Sequence, residues 1–165
     1  MQCNASKYGT LLNGFKVKYL AGKISKIMLA VDGSGAAKRA ADYALNLSST
    51  LGAELAAIHV IDVPPVMRGM NPALAAMYIA RADKQSSRWL DEVEHKARKL
   101  GISVTREVIV GRDSVTDGII GFARKSRPDM IIMGTRGRTA TRKLLLGSVA
   151  FAVSALAPCP VVLVR

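Results

Sequence analysis

The sequence predicts an α/β fold, a doubly wound parallel sheet with helices on both faces. Three observations carry that prediction. Short aliphatic runs recur along the chain, stretches with apolar residues at three- and four-residue steps lie between them, and the composition is 50% hydrophobic with only 5% aromatic residues. Strands buried on both faces read as continuous Val/Ile/Leu runs, and their alternation with helices makes them parallel with right-handed crossovers.

Residues 1–23 read as a separate basic extension. Their apolar residues (Leu11, Leu12, Phe15, Tyr19, Leu20) keep no period, and Lys7, Lys16, Lys18 and Lys23 stand without one acidic residue. The folded domain is expected over 24–165. It opens on Ile27-Met28-Leu29-Ala30-Val31, a buried strand closed by Asp32-Gly33-Ser34-Gly35. Ala37, Ala40, Ala41, Ala44, Leu45 and Leu51 follow at helical spacing. Leu55 to Ile61 is a second buried strand, and Pro64, Pro65, Gly69 and Pro72 after it read as a mobile linker. A long helix is expected from Ala73 to Leu100, with Ser86, Leu90, Val93, Ala97 and Leu100 on one face and Gly101 as its stop. Val104 to Val110 is the third strand, and Asp113 or Ser114 caps a helix carrying Val115, Ile119, Ile120 and Ala123. Asp129 to Met133 is the fourth strand, Ser148 to Leu156 a helix, and Val161 to Val164 the fifth strand.

A chain of 165 residues suits one domain with a real core. No apolar run approaches the roughly 18 residues of a membrane span. The N-terminus also lacks the apolar stretch of a secretory signal, so a cytoplasmic protein is expected. Cys3 and Cys159 have no cysteine nearby and no histidine at metal-ligand spacing, which excludes a disulfide framework and a zinc site and reads both thiols as chemically idle. The formal charge of +12 speaks to partners rather than to fold. Its second concentration runs from Arg124 to Lys143, seven Lys or Arg against Asp129 alone. An anionic ligand or surface accounts for that excess, and so does charge kept for solubility.

In a doubly wound sheet, ligands sit beyond the carboxyl ends of the strands, where the strand order reverses. The most informative stretch lies at such a place: Gly134-Thr135-Arg136-Gly137, nine intervening residues, then Gly147-Ser148, between an apolar strand and a helix. Glycine lets a phosphate approach the backbone amides, and a helix start offers free N–H groups and the positive end of the helix dipole. Arg136, Arg138, Arg142 and Lys143 add positive charge. Two readings fit: a phosphate-binding loop, or a surface loop with turn glycines and an ordinary serine cap at Ser148. Other nucleotide fingerprints fail. There is no Gly-x4-Gly-Lys-Ser/Thr, and Lys38 stands where a dinucleotide-binding turn needs a third small residue after Gly33 and Gly35.

From about Lys26 to Arg165 the chain resembles the universal stress proteins. The opening Ile27-Met28-Leu29-Ala30-Val31-Asp32-Gly33-Ser34, the strand ending His59-Val60-Ile61-Asp62, and the closing Pro158-Cys159-Pro160-Val161-Val162 match that family's habits. The stretch Met133-Gly134-Thr135-Arg136-Gly137 with Gly147-Ser148-Val149 matches the Gly-x2-Gly-x9-Gly-Ser/Thr signature of its ATP-binding branch. The basicity and the N-terminal extension depart from the family's pattern. The resemblance implies an adenine nucleotide alpha-hydrolase-like fold with strand order 3-2-1-4-5, and homodimers paired through the last strand. It also implies a nucleotide site. Asp32, with Ala30 beside it, would lie near the ribose and phosphates, and the Val60 backbone would read the adenine edge. Met133 and Gly134 would flank the ribose, and Gly137, Gly147, Ser148 and Val149 would wrap the phosphates.

Each residue also has a plainer reading. Asp32 caps the following helix; His59 is a core histidine with its hydrogen bonds met; His95 is solvated on a charged face; Trp89, with Leu90 and Val93, is packing. Met67, Met70 and Met77 line the pocket mouth or fill gaps in a core. The expected function is an ATP-binding stress-response module, read by an unknown protein partner. No dedicated catalytic residue is expected, hydrolysis is at most slow, and Mg²⁺ or Mn²⁺ bridges phosphate oxygens. The rivals are an AMP or cyclic AMP receptor using the same pocket, and a nucleic-acid or membrane-surface binder driven by charge.

Overall fold

The computed structural model describes residues 23–111, 113–138 and 146–165. The expected extension, apart from Lys23, lies outside the described residues, as do Cys3, Arg142 and Lys143. Five parallel strands form one sheet: β1 (Lys26–Ala30), β2 (Glu54–Ile61), β3 (Val104–Val110), β4 (Met130–Gly134) and β5 (Val161–Val164). Their spatial order is β3-β2-β1-β4-β5, as the resemblance implied.

The helices are α1 (Gly35–Leu51), α2 (Pro65–Met70), α3 (Pro72–Lys99), α4 (Val115–Ser126) and α5 (Ser148–Leu156). Alternation along β1 divides the core into two layers. Ile27, Leu29 and Val31 pack with the alanine stripe of α1 and with Leu90, Val93 and Ala97 of α3. Met28 packs on the other face with Ile119, Ile120 and Ala123 of α4 and with Ala150 and Val153 of α5. Asp129 aligns β1 with β4 at their starts: its Oδ2 accepts from the Ser25 and Lys26 N–H groups at 2.8 and 3.0 Å.

The stretch read as a mobile linker contains α2 and the start of α3 instead. Pro65 and Pro72 each stand in the first turn of a helix, where the missing N–H would have had no intrahelical partner anyway. Asn71 caps α3, its side-chain oxygen accepting from the Ala73 and Leu74 N–H groups at 3.1 Å. Of the two caps considered for α4, Ser114 serves, accepting from the Asp117 N–H at 3.1 Å. Cys159 is buried, and desolvation, with the nearby Asp129 charge, pushes its thiol up to about 11.

Candidate functional site

The sheet order reverses at β1: the chain leaves β1 to form β2 on one side and reaches β4 on the other. Beyond the carboxyl ends of these strands a cleft of about 1000 Å³ opens. Ala30, Asp32, Val60, Met133, Gly134, Gly137, Gly147, Ser148 and Val149 all line it.

Asp32 does not cap α1. Ser34 does so, its Oγ accepting from the Ala37 N–H at 3.1 Å. The Asp32 carboxylate is committed to backbone instead: Oδ1 accepts from the Ser34 N–H at 3.0 Å and Oδ2 from the Arg138 N–H at 3.1 Å. The Ser34 hydroxyl donates to the Arg136 carbonyl at 3.2 Å. Two side chains after β1 thus hold the glycine-bearing loop that follows β4.

On the other side of that loop the Gly147 N–H donates to the Thr135 carbonyl at 2.8 Å, and Thr135 donates to Val164 at 2.8 Å. Gly147, not Ser148, is the cap residue of α5, and it offers no side-chain cap. Ser148 is the first helical residue, which corrects the serine-cap reading. The first intrahelical bond arrives only at Phe151, whose N–H donates to the Gly147 carbonyl at 2.9 Å. The N–H groups of Ser148, Val149 and Ala150 therefore precede the ladder, and all three residues line the cleft. Open amides at the positive end of a helix dipole make a place for an anion.

Val60 owes its position to the shortness of β1. The Ile58 carbonyl accepts from the Val31 N–H at 2.9 Å, and the Ile61 carbonyl from Gly111 at 2.9 Å. Backbone groups alternate sides along a strand, so those of Val60 point to the β1 side, one step past the end of that strand. They face the cleft edge-on, with both a donor and an acceptor.

His59 and Trp89 line the cleft too, which their packing readings missed. The His59 Nδ1 lies 2.7 Å from the Val31 carbonyl. A carbonyl only accepts, so a neutral His59 carries its proton on Nδ1. Its ring meets Trp89 edge to face, centroids 5.2 Å apart. The Arg138 guanidinium lies over the Trp89 ring, 5.2 Å from its centroid. The signal for Trp89 was the length of α3. Its 28 residues span about 42 Å, against roughly 26 Å for the eight-residue β2, so one end must overhang the sheet. Tyr78, Arg81, Gln85 and Trp89 fall on one face of that overhang and form the outer wall. Met77 is exposed and, like Met67, is absent from the lining. His95 is exposed, as expected.

Burial lowers the His59 pKa from 6.5, outweighing the Val31 hydrogen bond and the Asp32 charge, which raise it; Arg138 lowers it further. The unfolded chain then binds a proton near pH 6.5 that the folded chain refuses, so stability rises with pH across that window. Urea unfolding should show full stability above pH 6.5 and a decline below it. The His59→Gln variant should flatten that decline; the same slope in both would remove His59 from the account.

The sequence profile of the universal stress protein family matches residues 23–165. A universal stress protein of Methanocaldococcus jannaschii is 33% identical over 140 residues, covering 85% of this chain and 81% of its own length. The structure of a Lactobacillus plantarum universal stress protein matches with a TM-score of 0.75 at 23% identity, over 88% of this chain and all of that one. An Archaeoglobus fulgidus member solved with dAMP matches with a TM-score of 0.61 at 20% identity, over 87% of this chain and all of that one. Other solved members hold cyclic AMP or, in Arabidopsis thaliana, AMP, at TM-scores of 0.61 and 0.60. With the profile spanning residues 23–165 over a sheet of order β3-β2-β1-β4-β5, this chain belongs to the universal stress protein family.

Proposed function

We propose that this chain is an ATP-binding module of the stress response, regulatory rather than dedicated to catalysis. The observation that carries the reading is the loop Gly134–Gly137, tied to Asp32 and Ser34 and placed against the open N-terminus of α5. That juxtaposition suits a chain of phosphates. Solved members of the family that hold AMP, dAMP or cyclic AMP support an adenine nucleotide in this fold.

In this reading the Val60 N–H and carbonyl meet the adenine edge, and Ala30, Met133 and Gly134 floor the ribose. Gly137, Gly147 and the amides of Ser148 and Val149 wrap the phosphates. Asp32 acts first as the anchor of the loop. Mg²⁺ or Mn²⁺ would take its ligands chiefly from phosphate oxygens and water, since the described residues offer no group of three acidic, histidine or cysteine side chains around a metal. A partner protein reads the nucleotide-bound state of this loop. β5, at the margin of the sheet, presents an apolar edge suited to a second copy, and sedimentation velocity would show the dimer.

Calorimetric titration with ATP, AMP and cyclic AMP in the presence of Mg²⁺ tests the reading. The expected result is one site per chain that prefers ATP, with turnover below about 1 s⁻¹. Tighter binding of AMP or cyclic AMP would make the protein a receptor for that ligand. No binding of any of the three would overturn the nucleotide reading. A steep fall of nucleic-acid binding with salt is what the charge-driven alternative requires.

A further inference from the structure

Resting on the nucleotide reading, the geometry points to Arg138 as the residue that selects ligands by phosphate number, held ready on Trp89 until a phosphate chain takes it. Its backbone is fixed, because the Arg138 N–H donates to Asp32 Oδ2 at 3.1 Å. Its guanidinium has no carboxylate partner among the described residues. Both Asp32 oxygens already accept backbone N–H groups, and the cation rests on the Trp89 ring. A ring quadrupole holds an arginine more weakly than a bidentate phosphate does, so a phosphoryl group in reach would draw the guanidinium away.

Trp89 is held in place independently. His59 meets it edge on, and Gly33 leaves room for the indole that any Cβ would fill. The ring is thus a fixed resting place.

The selectivity follows from which side of the sheet each group occupies. Trp89 packs with the α1 and α3 layer, whereas the N-terminus of α5 belongs to the opposite layer. The open amides of α5 and the Arg138 guanidinium on Trp89 therefore belong to opposite layers, with the Arg138 N–H held by Asp32. On this placement one phosphoryl group at the α5 amides would meet the amides alone, and a triphosphate would extend to Arg138.

The test uses calorimetry with ATP and with AMP, beside emission of Trp89, the only tryptophan in the chain. Arg138→Gln, at an exposed position, should weaken ATP at least about tenfold and AMP by less than about threefold. ATP, but not AMP, should change Trp89 emission, and the change should vanish in Arg138→Gln. Arg138→Lys should recover part of the ATP affinity. Equal losses for the two nucleotides, or an unchanged ATP affinity in the variant, would overturn the selector role and leave the nucleotide site standing. If the wild type bound neither nucleotide, both readings would fall together.

Discussion

Replacing Gly33 with alanine should destabilise the fold by about 2–5 kcal/mol, two penalties acting at one atom. Gly33 has a φ of +79°, a left-handed conformation that costs a residue with a Cβ roughly 1–2 kcal/mol. A Cβ there would also overlap the Trp89 indole. The indole is not the free end of a flexible chain. It lies on a 28-residue helix whose Leu90 and Val93 are locked in the core. Overpacking of this kind costs about 1–3 kcal/mol. For a domain of this size the sum lowers Tm by roughly 4–20 °C. The two parts separate in a double-mutant cycle with Trp89→Ala, which should relieve the overlap and leave the backbone strain. A Tm shift under about 1 °C for Gly33→Ala alone would show that turn and indole both yield freely, and would sink the account.

The same glycine shows what the sequence made legible and what it hid. Asp32-Gly33-Ser34-Gly35 after an aliphatic run reads plainly as the end of a strand, because buried parallel strands are nearly unbroken apolar runs and glycine punctuates them. The β5 span was legible from its Val/Leu run, β3 from the apolar residues on either side of Thr105, Arg106 and Glu107 after Gly101, and α5 from its apolar stretch behind Gly147. Pro64, Pro65 and Pro72 misled, because proline disrupts a helix in its interior but suits its first turn, and only the caps tell the two apart.

The site was legible as a set of residues but not as a connected structure. All nine residues named from the sequence line one cleft. The bonds from Ser34 to Arg136 and from Arg138 to Asp32 span 102 and 106 residues, and no local pattern announces them. Trp89 and His59 sit among apolar neighbours at core spacing, so periodicity assigned them to packing. That is half correct: Trp89 packs against the core and His59 against Trp89, and both also face the cleft. Which part of a long amphipathic helix overhangs a sheet depends on strand lengths elsewhere in the chain. Val60 is a further instance, since the exposure of its backbone depends on β1 ending at Ala30.

Replacing Gly137 with valine should weaken ATP binding at least about 100-fold, or roughly 2.7 kcal/mol, while moving Tm little. A Cβ at Gly137 would sit 2.8 Å from Asp32 Oδ2, closer than real Cβ contacts come. The carboxylate would have to swing away, and its bond to the Arg138 N–H would go with it. The loop would lose its anchor on the β1 side. The valine methyls would also enter the cleft that Gly137 lines, in the space the nucleotide reading gives to phosphate. The fold should tolerate the change, because Gly137 is exposed and is not among the glycines with positive φ, so valine brings no backbone strain. This separates Gly137 from Gly33, where strain and overlap act on the fold itself. Calorimetry with ATP and a thermal melt on the same variant decide the matter. Lost binding with an unchanged melt places the phosphates at this loop. Retained ATP affinity would mean that the nucleotide lies elsewhere in the cleft and that Asp32 serves only to fasten the chain to itself.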